Sequence, residues 1–315
     1  MIDFFNKSTS TSDTDPATET PAGQGSIPVE FDHPADSEAG FRETQTTESP
    51  DTQSGNEEKR YSVGIDLGTT HCVLSFADLG RDDDEMEFHV MGIPQLTSPG
   101  IIEEKNQLPS FMYQAHEAEL AEGETGLPWN AAPGEIVGEI ARNLGGKTPI
   151  RLISSAKSWL CHAGVNCKSP ILPANAPDEV EKVSPFQATA AYLKHMRDAW
   201  NAVHPDAPLD KQELTITVPA SFDPAARELT AEAARSLGLN QAILLEEPQS
   251  ALYSWIERSK GDWRKQAKVG DIILVVDVGG GTTDLSLIAV TESGGNLELT
   301  RVAVGDHILL GGDNM

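Results

Sequence analysis

The chain is poor in positive charge, in cysteine, in aromatic residues and in long apolar runs. Lysine and arginine number 23 against 49 aspartates and glutamates, a net charge of −26. Such a polyanion repels nucleic acid unless a local basic patch reverses the field, and no such patch stands out, so no nucleic-acid partner is expected. The longest strand-like apolar run, residues 272–276, is far shorter than the ~20 residues that cross a bilayer as a helix, so no membrane partner is expected either. The start, Met1-Ile2-Asp3-Phe4-Phe5, lacks the basic segment and apolar stretch of a secretory signal. The three cysteines, Cys72, Cys161 and Cys167, cannot all pair with one another, and reduced thiols in a cytoplasmic protein are the expectation. Cys161 and Cys167 flank His162, but without a matching second cluster the trio falls short of a zinc site.

What is present suffices for a core in part of the chain. With 315 residues, 38% of them hydrophobic, there is room for about two domains. Residues 1–60 add little to that core. They are rich in Ser, Thr, Asp, Glu, Pro and Gly, carry thirteen acids against four bases, and scatter Phe4, Phe5, Phe31 and Phe41 without period. Too little apolar surface is available to offset the entropy of ordering, so a disordered acidic tail, dispensable for folding, is expected there. A partner-binding or localising arm is the alternative reading.

Order is expected from Tyr61. Val63, Ile65 and Leu67 alternate with Gly64, Asp66 and Gly68, the period of a strand, and residues 73–77 read as its return. Residues 81–87 read as an exposed loop, 108–113 as a strand behind a proline, and 119–134 as a Gly/Pro/Glu-rich loop. A short helix is expected over 136–144, ended by Gly145-Gly146, and another over 150–160 that carries Lys157. Ser184-Pro185 and Asp223-Pro224 each open a helix, one running to about Val203 and the other ended by Gly238. Strands are expected at 214–218 and 243–245, with a helix from Pro248 through Ile256. Residues 272–276 are continuously apolar, as in a strand covered on both faces. Residues 285–290 and 297–304 complete a meander, and the mixture is α/β.

One phrase occurs twice: Gly64-Ile65-Asp66-Leu67-Gly68-Thr69-Thr70 and Asp277-Val278-Gly279-Gly280-Gly281-Thr282-Thr283-Asp284. Each is an apolar strand ending in Asp, a Gly/Thr turn and a second strand-like run. Two such units suggest half-structures whose turns face one site. Glycine lets backbone approach a ligand closely, and successive N–H groups in such a turn form an anion-binding nest. Thr69, Thr70, Thr282 and Thr283 add hydroxyl donors. Asp66, Asp277 and Asp284 bring negative charge to the same place, which phosphate tolerates only with a cation between. Magnesium suits, since it keeps several waters while touching one or two carboxylates and phosphate oxygens. Plain hairpin turns are the alternative, weaker for a matched pair than for either turn alone.

These residues resemble the two phosphate motifs of the seventy-kilodalton heat-shock chaperones, within the actin-like ATPase superfamily and its ribonuclease-H-like sheets. Sugar kinases and actin relatives share such motifs. Val218-Pro219-Ala220-Ser221-Phe222, Arg227 and Ala233-Ala234-Arg235-Ser236-Leu237-Gly238-Leu239 resemble the chaperones' own strand–helix signature. Glu246-Glu247-Pro248-Gln249-Ser250-Ala251-Leu252 resembles their lobe-connecting segment. Leu108-Pro109-Ser110, Gly305-Asp306 and Gly311-Gly312-Asp313-Asn314 are fainter echoes. The resemblance runs from Tyr61 to Met315, looser over 82–108 and 161–183. It implies an actin-like ATPase fold with lobe one nearly complete at residues 61–265, an outer subdomain at about 93–185 within it, and a partial lobe two at 266–315.

The resemblance also implies roles. Gly68, Thr69, Thr70 and His71 would contact phosphate, and Gly279, Gly280, Gly281, Thr282 and Thr283 would line the β/γ-phosphate. Asp66 and Asp277 would hold Mg²⁺ through its waters. Asp284 would order the attacking water or a potassium ion, Lys157 would reach the γ-phosphate, and Glu247 would stand at the hinge near the magnesium waters. On position alone Lys157 reads as an exposed helix lysine and Glu247 as a surface acid. The sequence departs from the family pattern at His71, where Tyr or Asn is usual, at Thr283, where Phe is common and little effect is expected, and at Glu246, where Asn is frequent.

The expected function is therefore an ATP-binding and ATP-hydrolysing module of a chaperone relative. Its cofactors would be ATP/ADP, Mg²⁺ and K⁺, and its partners in full-length form unfolded clients and co-chaperones. The family's adenosine motif and peptide-binding domain would lie beyond Met315. Weak ATP binding, very slow hydrolysis and exposed apolar strand faces in lobe two are thus expected of residues 1–315, with 311–315 leading nowhere. A non-catalytic nucleotide-sensing or interaction module is one alternative. A small-molecule kinase is another, but it would need an acceptor pocket with its own base, and no motif supplies one.

Overall fold

The computed structural model describes residues 59–81, 86–162, 164–293, 296–305 and 308–312. The expected acidic tail up to residue 58 and positions 82–85 of the expected loop lie outside the described residues. In chain order the elements begin with β1 (Tyr61–Leu67), β2 (His71–Asp78), β3 (His89–Val90), β4 (Ile93–Ser98), β5 (Ile101–Lys105), β6 (Leu108–Pro109), β7 (Met112–Tyr113) and β8 (Ile136–Val137). Then come α1 (Glu139–Lys147), β9 (Leu152–Ile153), α2 (Ala156–Leu160), α3 (Pro185–Val203), β10 (Glu213–Val218), α4 (Pro224–Ser236), β11 (Ile243–Glu246) and α5 (Glu247–Arg258). Short α6 (Trp263–Gln266) leads to β12 (Ile272–Val278), β13 (Thr283–Ser293) and β14 (Asn296–Val304).

The main sheet has the order β11-β10-β1-β2-β3, with β6 also on β2. β1, β10 and β11 are parallel and β2 runs back against β1, so the return from β10 to β11 is made by α4, a βαβ crossover. Helix α3 covers this sheet. Its start is set locally: Ser184 Oγ accepts from Gln187 N at 3.0 Å, Gln187 Oε1 accepts from Ser184 N at 2.8 Å, and Pro185 fills the first turn. Leu193, Met196 and Trp200 then recur on one side and are buried against Val63, Ile65, Leu74, Leu214 and Ile216. Helix α4 opens on Asp223, which accepts from Ala226 N at 2.7 Å, and gives out before Gly238, whose φ is +81.

Several local expectations are corrected. The helix expected over 136–144 starts only at Glu139 and runs through Gly145 and Gly146. A Cβ on Gly145 would lie 2.4 Å from Leu152 Cδ1, so this glycine answers a packing need rather than a helix stop. Residues 150–160 are not one helix: a 3-10 turn and β9 precede α2, which starts after Ser155 in the left-handed region at φ 54. The strand expected over 108–113 is split into β6 and β7, which join different sheets. The hairpin β4–β5 was not foreseen.

The second sheet is β12-β13-β14. One face packs on α5 and α6, with Leu252 against Val275 and Ile288, and Trp263 and Ala267 against Val290. The other face is open, with Ile272 56% and Leu274 40% exposed. The expectation of a strand covered on both faces fails because a continuous apolar run cannot say how many layers lie on it. The exposed apolar face expected from the resemblance is present. Among the described residues no helix is long and apolar enough to cross a membrane.

Candidate functional site

In the first hairpin Leu67 faces Cys72, and in the second Val278 faces Thr283. The turns between are residues 68–71 and 279–282, equal in length and register. A Cβ on Gly68 would lie 2.1 Å from the His71 carbonyl oxygen, so only glycine closes the first turn. In the second, Gly279 N donates to the Thr282 carbonyl at 2.8 Å. The turns face each other closely: a Cβ on Gly281 would come within 3.2 Å of Thr69 Cγ2. The acids occupy matching places. Asp66 pairs across its hairpin with Val73, whereas Asp277 pairs with Asp284, so the second turn carries two acids and the first carries one.

Of residues 311–315, expected to lead nowhere, Gly311 and Gly312 pack on the second turn, and 313–315 lie outside the described residues. Thr283 and Ile308 exchange backbone hydrogen bonds of 2.8 and 3.2 Å, and Gly312 N donates to Gly279 O at 3.0 Å. Gly311 lies so close that a Cβ on it would meet Gly280 O at 2.4 Å. Thr283 belongs to this brace, its Oγ1 donating to Leu310 O at 2.7 Å.

Lys157, at the start of α2, donates to Glu247 Oε1 of α5 at 2.5 Å. Their side chains are 12% and 16% exposed, so neither is the surface group that position alone suggested. Burial by itself lowers the Lys157 pKa, but the Glu247 and Asp66 carboxylates outweigh it and the net direction is up. Lys157 is a firm ammonium. Burial pushes Glu247 up, Lys157 pulls it down, and Asp66 and Asp277 push it up again, with a net rise. Asp277 is likewise raised by burial first and then by Asp66 and Asp284, against Lys157. Negative charge is thus in excess around one lysine, and a cation would relieve it. Among the described residues no three His, Cys, Asp or Glu converge to hold a metal directly.

These groups line a cleft of about 670 Å³. Of the residues named from sequence it brings together Asp66, Gly68, Thr69, Thr70, His71, Lys157, Glu247, Asp277, Gly279, Gly280 and Thr282. Gly281 touches Thr69 instead, and Asp284 is buried beside it, its Oδ1 accepting from Ser221 Oγ at 3.1 Å.

A model of the Hsp70 protein family matches residues 133–315, more than half of the chain. The chain belongs to the Hsp70 family. It is 29% identical over 277 residues to the chaperone protein HscA of Photorhabdus laumondii, covering 84% of this chain and 38% of that protein. An HscA homolog of Haemophilus influenzae is 28% identical over 269 residues, with the same coverage of 84% and 38%. The chain therefore spans well under half the length of these curated relatives.

In this Hsp70-family chain several supporting residues carried no assigned role in the sequence. Thr217 Oγ1 donates to Asp66 Oδ1 at 2.7 Å; the two are register partners in the β1–β10 pair, which no local pattern announces. Ser110 pins the first turn from behind, its N donating to Thr70 O at 2.8 Å and its Oγ to Gly68 O at 2.7 Å. Ser110 and Ser221 both lay inside stretches that carried the resemblance, and that was their only signal. Ser250, Ser254 and Arg258 line the cleft from α5, and their spacing of four was legible as one helix side. All three cysteines are free. Burial pushes the Cys72 thiol up to about 12, so this sulfur under the first turn is an inert packing group.

Proposed function

We propose that this chain is the nucleotide-binding module of an Hsp70-type chaperone, holding ATP or ADP by its phosphates between the two turns and hydrolysing ATP. The observation that carries this reading is the pair of equal-length Gly/Thr turns, each with an Asp at its strand end, facing each other across a cleft with Lys157 among the carboxylates. Phosphoryl transfer to water is mainly positioning and charge neutralisation. In this reading the backbone N–H groups of the turns, with the Thr69, Thr70 and Thr282 hydroxyls and His71, hold phosphate oxygens; Thr283, expected beside them, instead gives its hydroxyl to Leu310 O and braces the second turn. Gly68, Gly279, Gly280 and Gly281 let the backbone come close enough. Asp66, kept in place by Thr217, and Asp277 would hold Mg²⁺, whose charge would offset that of the phosphates. Glu247 orients Lys157, whose ammonium stabilises charge developing on the γ-phosphate. Asp284, held by Ser221, orders the attacking water or a potassium ion.

The division into lobe one at 61–265, with its outer subdomain at about 93–185, and lobe two from 266 is proposed with α5 as the segment that both sheets share. An actin-like ATPase fold, a cytoplasmic setting, and unfolded clients and co-chaperones as partners are part of the same proposal, with the family as their support. The test is titration calorimetry with ATP, with and without Mg²⁺, together with phosphate release with and without a sugar acceptor. Magnesium-dependent binding with acceptor-independent release is expected. Binding without release would favour a nucleotide-sensing module, acceptor-stimulated turnover a kinase, and no magnesium-dependent binding would overturn the reading.

A further inference from the structure

We propose that Glu246 is a positioning residue: it clasps the two sheets together and so sets the separation of the two turns. The proposal rests on the reading of those turns as one phosphate site. Glu246 ends β11, the edge strand of the main sheet. Its Oε1 accepts from Arg227 Nη2 of α4, and its Oε2 accepts from Arg301 Nη1 of β14, in the second sheet. Both carboxylate oxygens are therefore taken by guanidinium groups, one from each half of the molecule.

The Glu246 side chain is 12% exposed and those of Arg227 and Arg301 are 30% and 35% exposed. An ion pair open to water contributes little; this carboxylate is mostly withdrawn from it, and losing Arg301 would leave one of its oxygens without a guanidinium partner. Arg301 is aimed by the strand itself. The β13–β14 register slips so that Leu287 faces Ala303 while Ile288 faces Arg301, which leaves Val302 as an extra residue in β14. Such bulges bend a strand and redirect a side chain.

Consecutive carboxylates at the β11–α5 junction thus do different work. Glu247 turns into the cleft to Lys157, and Glu246 turns to the clasp. A further polar link between the sheets is the Ser221–Asp284 hydrogen bond beside the second turn. Without the clasp the second sheet loses its tie from β14 to β11, and the turns are free to part.

The test is a double-mutant cycle in the full chain with Glu246→Gln, Arg301→Gln and both, plus Arg301→Lys. Amide hydrogen exchange is read without nucleotide, and ATP and AMP affinities are read with magnesium. Each single Gln variant is expected to speed exchange in β12–β14 and to weaken ATP binding about 5- to 20-fold, within the coupling range of contacting charges. AMP, which cannot bridge both turns, should lose little. The double variant should be no worse than the worse single one, and Arg301→Lys should stay near the parent. Unchanged exchange in β1 and β2 shows that the main sheet is still folded. Additive losses, unaltered β12–β14 exchange, or equal losses for ATP and AMP would overturn the proposal. Should the parent bind no nucleotide while the exchange results hold, the clasp stands and the nucleotide reading falls.

Discussion

β1 and β12 carry the same strand–Asp–turn unit on very different supports. β1 lies in the middle of its sheet, between β10 and β2, with α3 over it and Val63 and Ile65 buried. β12 is the end strand of its sheet and has one open face. Yet both close into turns of equal length with the acid in the same register. Turn geometry is a local matter of glycine and ladder register. Rigidity comes from neighbours. A firm half therefore faces a half held by α5, α6 and a few polar links.

The sharpest test of that contrast is the core of the firm half. Trp200 is fully buried, stacks on His204 at 4.0 Å and donates from Nε1 to Ala207 O at 2.8 Å. Trp200→Ala is expected to cost about 3–5 kcal/mol in denaturant unfolding. Lys157→Met should slow ATP hydrolysis about 100- to 1,000-fold, as loss of one transition-state donor does, with a smaller effect on ATP binding. Single-turnover phosphate release at saturating ATP decides this.

A pH titration separates the halves next. His195 is buried beside β4, its Nε2–H donating to Pro94 O at 3.0 Å, and burial holds it down at about 4. Its folded pKa lies below the unfolded value, so the unfolded chain takes the proton first. Stability should fall as pH drops from about 6.5 through 4, by on the order of 3 kcal/mol in total. His195→Gln should remove that slope from the unfolding free energy. Asp277 acts in the opposite sense: its folded pKa is raised, so ligand-free stability is lost as pH climbs from the ordinary carboxylate range through the raised value.

Asp66→Asn and Asp277→Asn should each weaken magnesium-dependent nucleotide binding about 10- to 100-fold. Asp277→Asn should also raise the melting temperature of the ligand-free chain, because it removes a buried charge. Equal binding by parent and both variants would break the assignment. The smallest effect belongs to the open face of the second sheet. Leu274→Ser should stay within about 0.5 kcal/mol of the parent, and a larger loss would show that this face is covered in solution.

The elements most legible in the sequence were those with their signals close together in the chain. Ser184-Pro185 with Gln187 opened α3, Asp223-Pro224 opened α4, and the alternation around Val63 made β1. Less legible were positions whose reason lies far along the chain. Gly145 is inside α1 because of Leu152, and Gly311 is glycine because of the Gly280 backbone. The two Gly/Thr turns could be read because a hairpin's geometry is set within about ten residues. That they face each other is a fact of packing.

By itself the sequence determined the two turns, their acids and the helix caps, because hydrogen bonds and φ restrictions between near neighbours need no third partner. Only the tertiary structure decided that Lys157 is buried against Glu247, that Thr217 steadies Asp66, that Ser110 pins the first turn, and that Glu246 reaches Arg301. These contacts join residues far apart in the chain. Burial and charge pairing at such distances depend on how whole elements stack, which no short stretch of residues encodes.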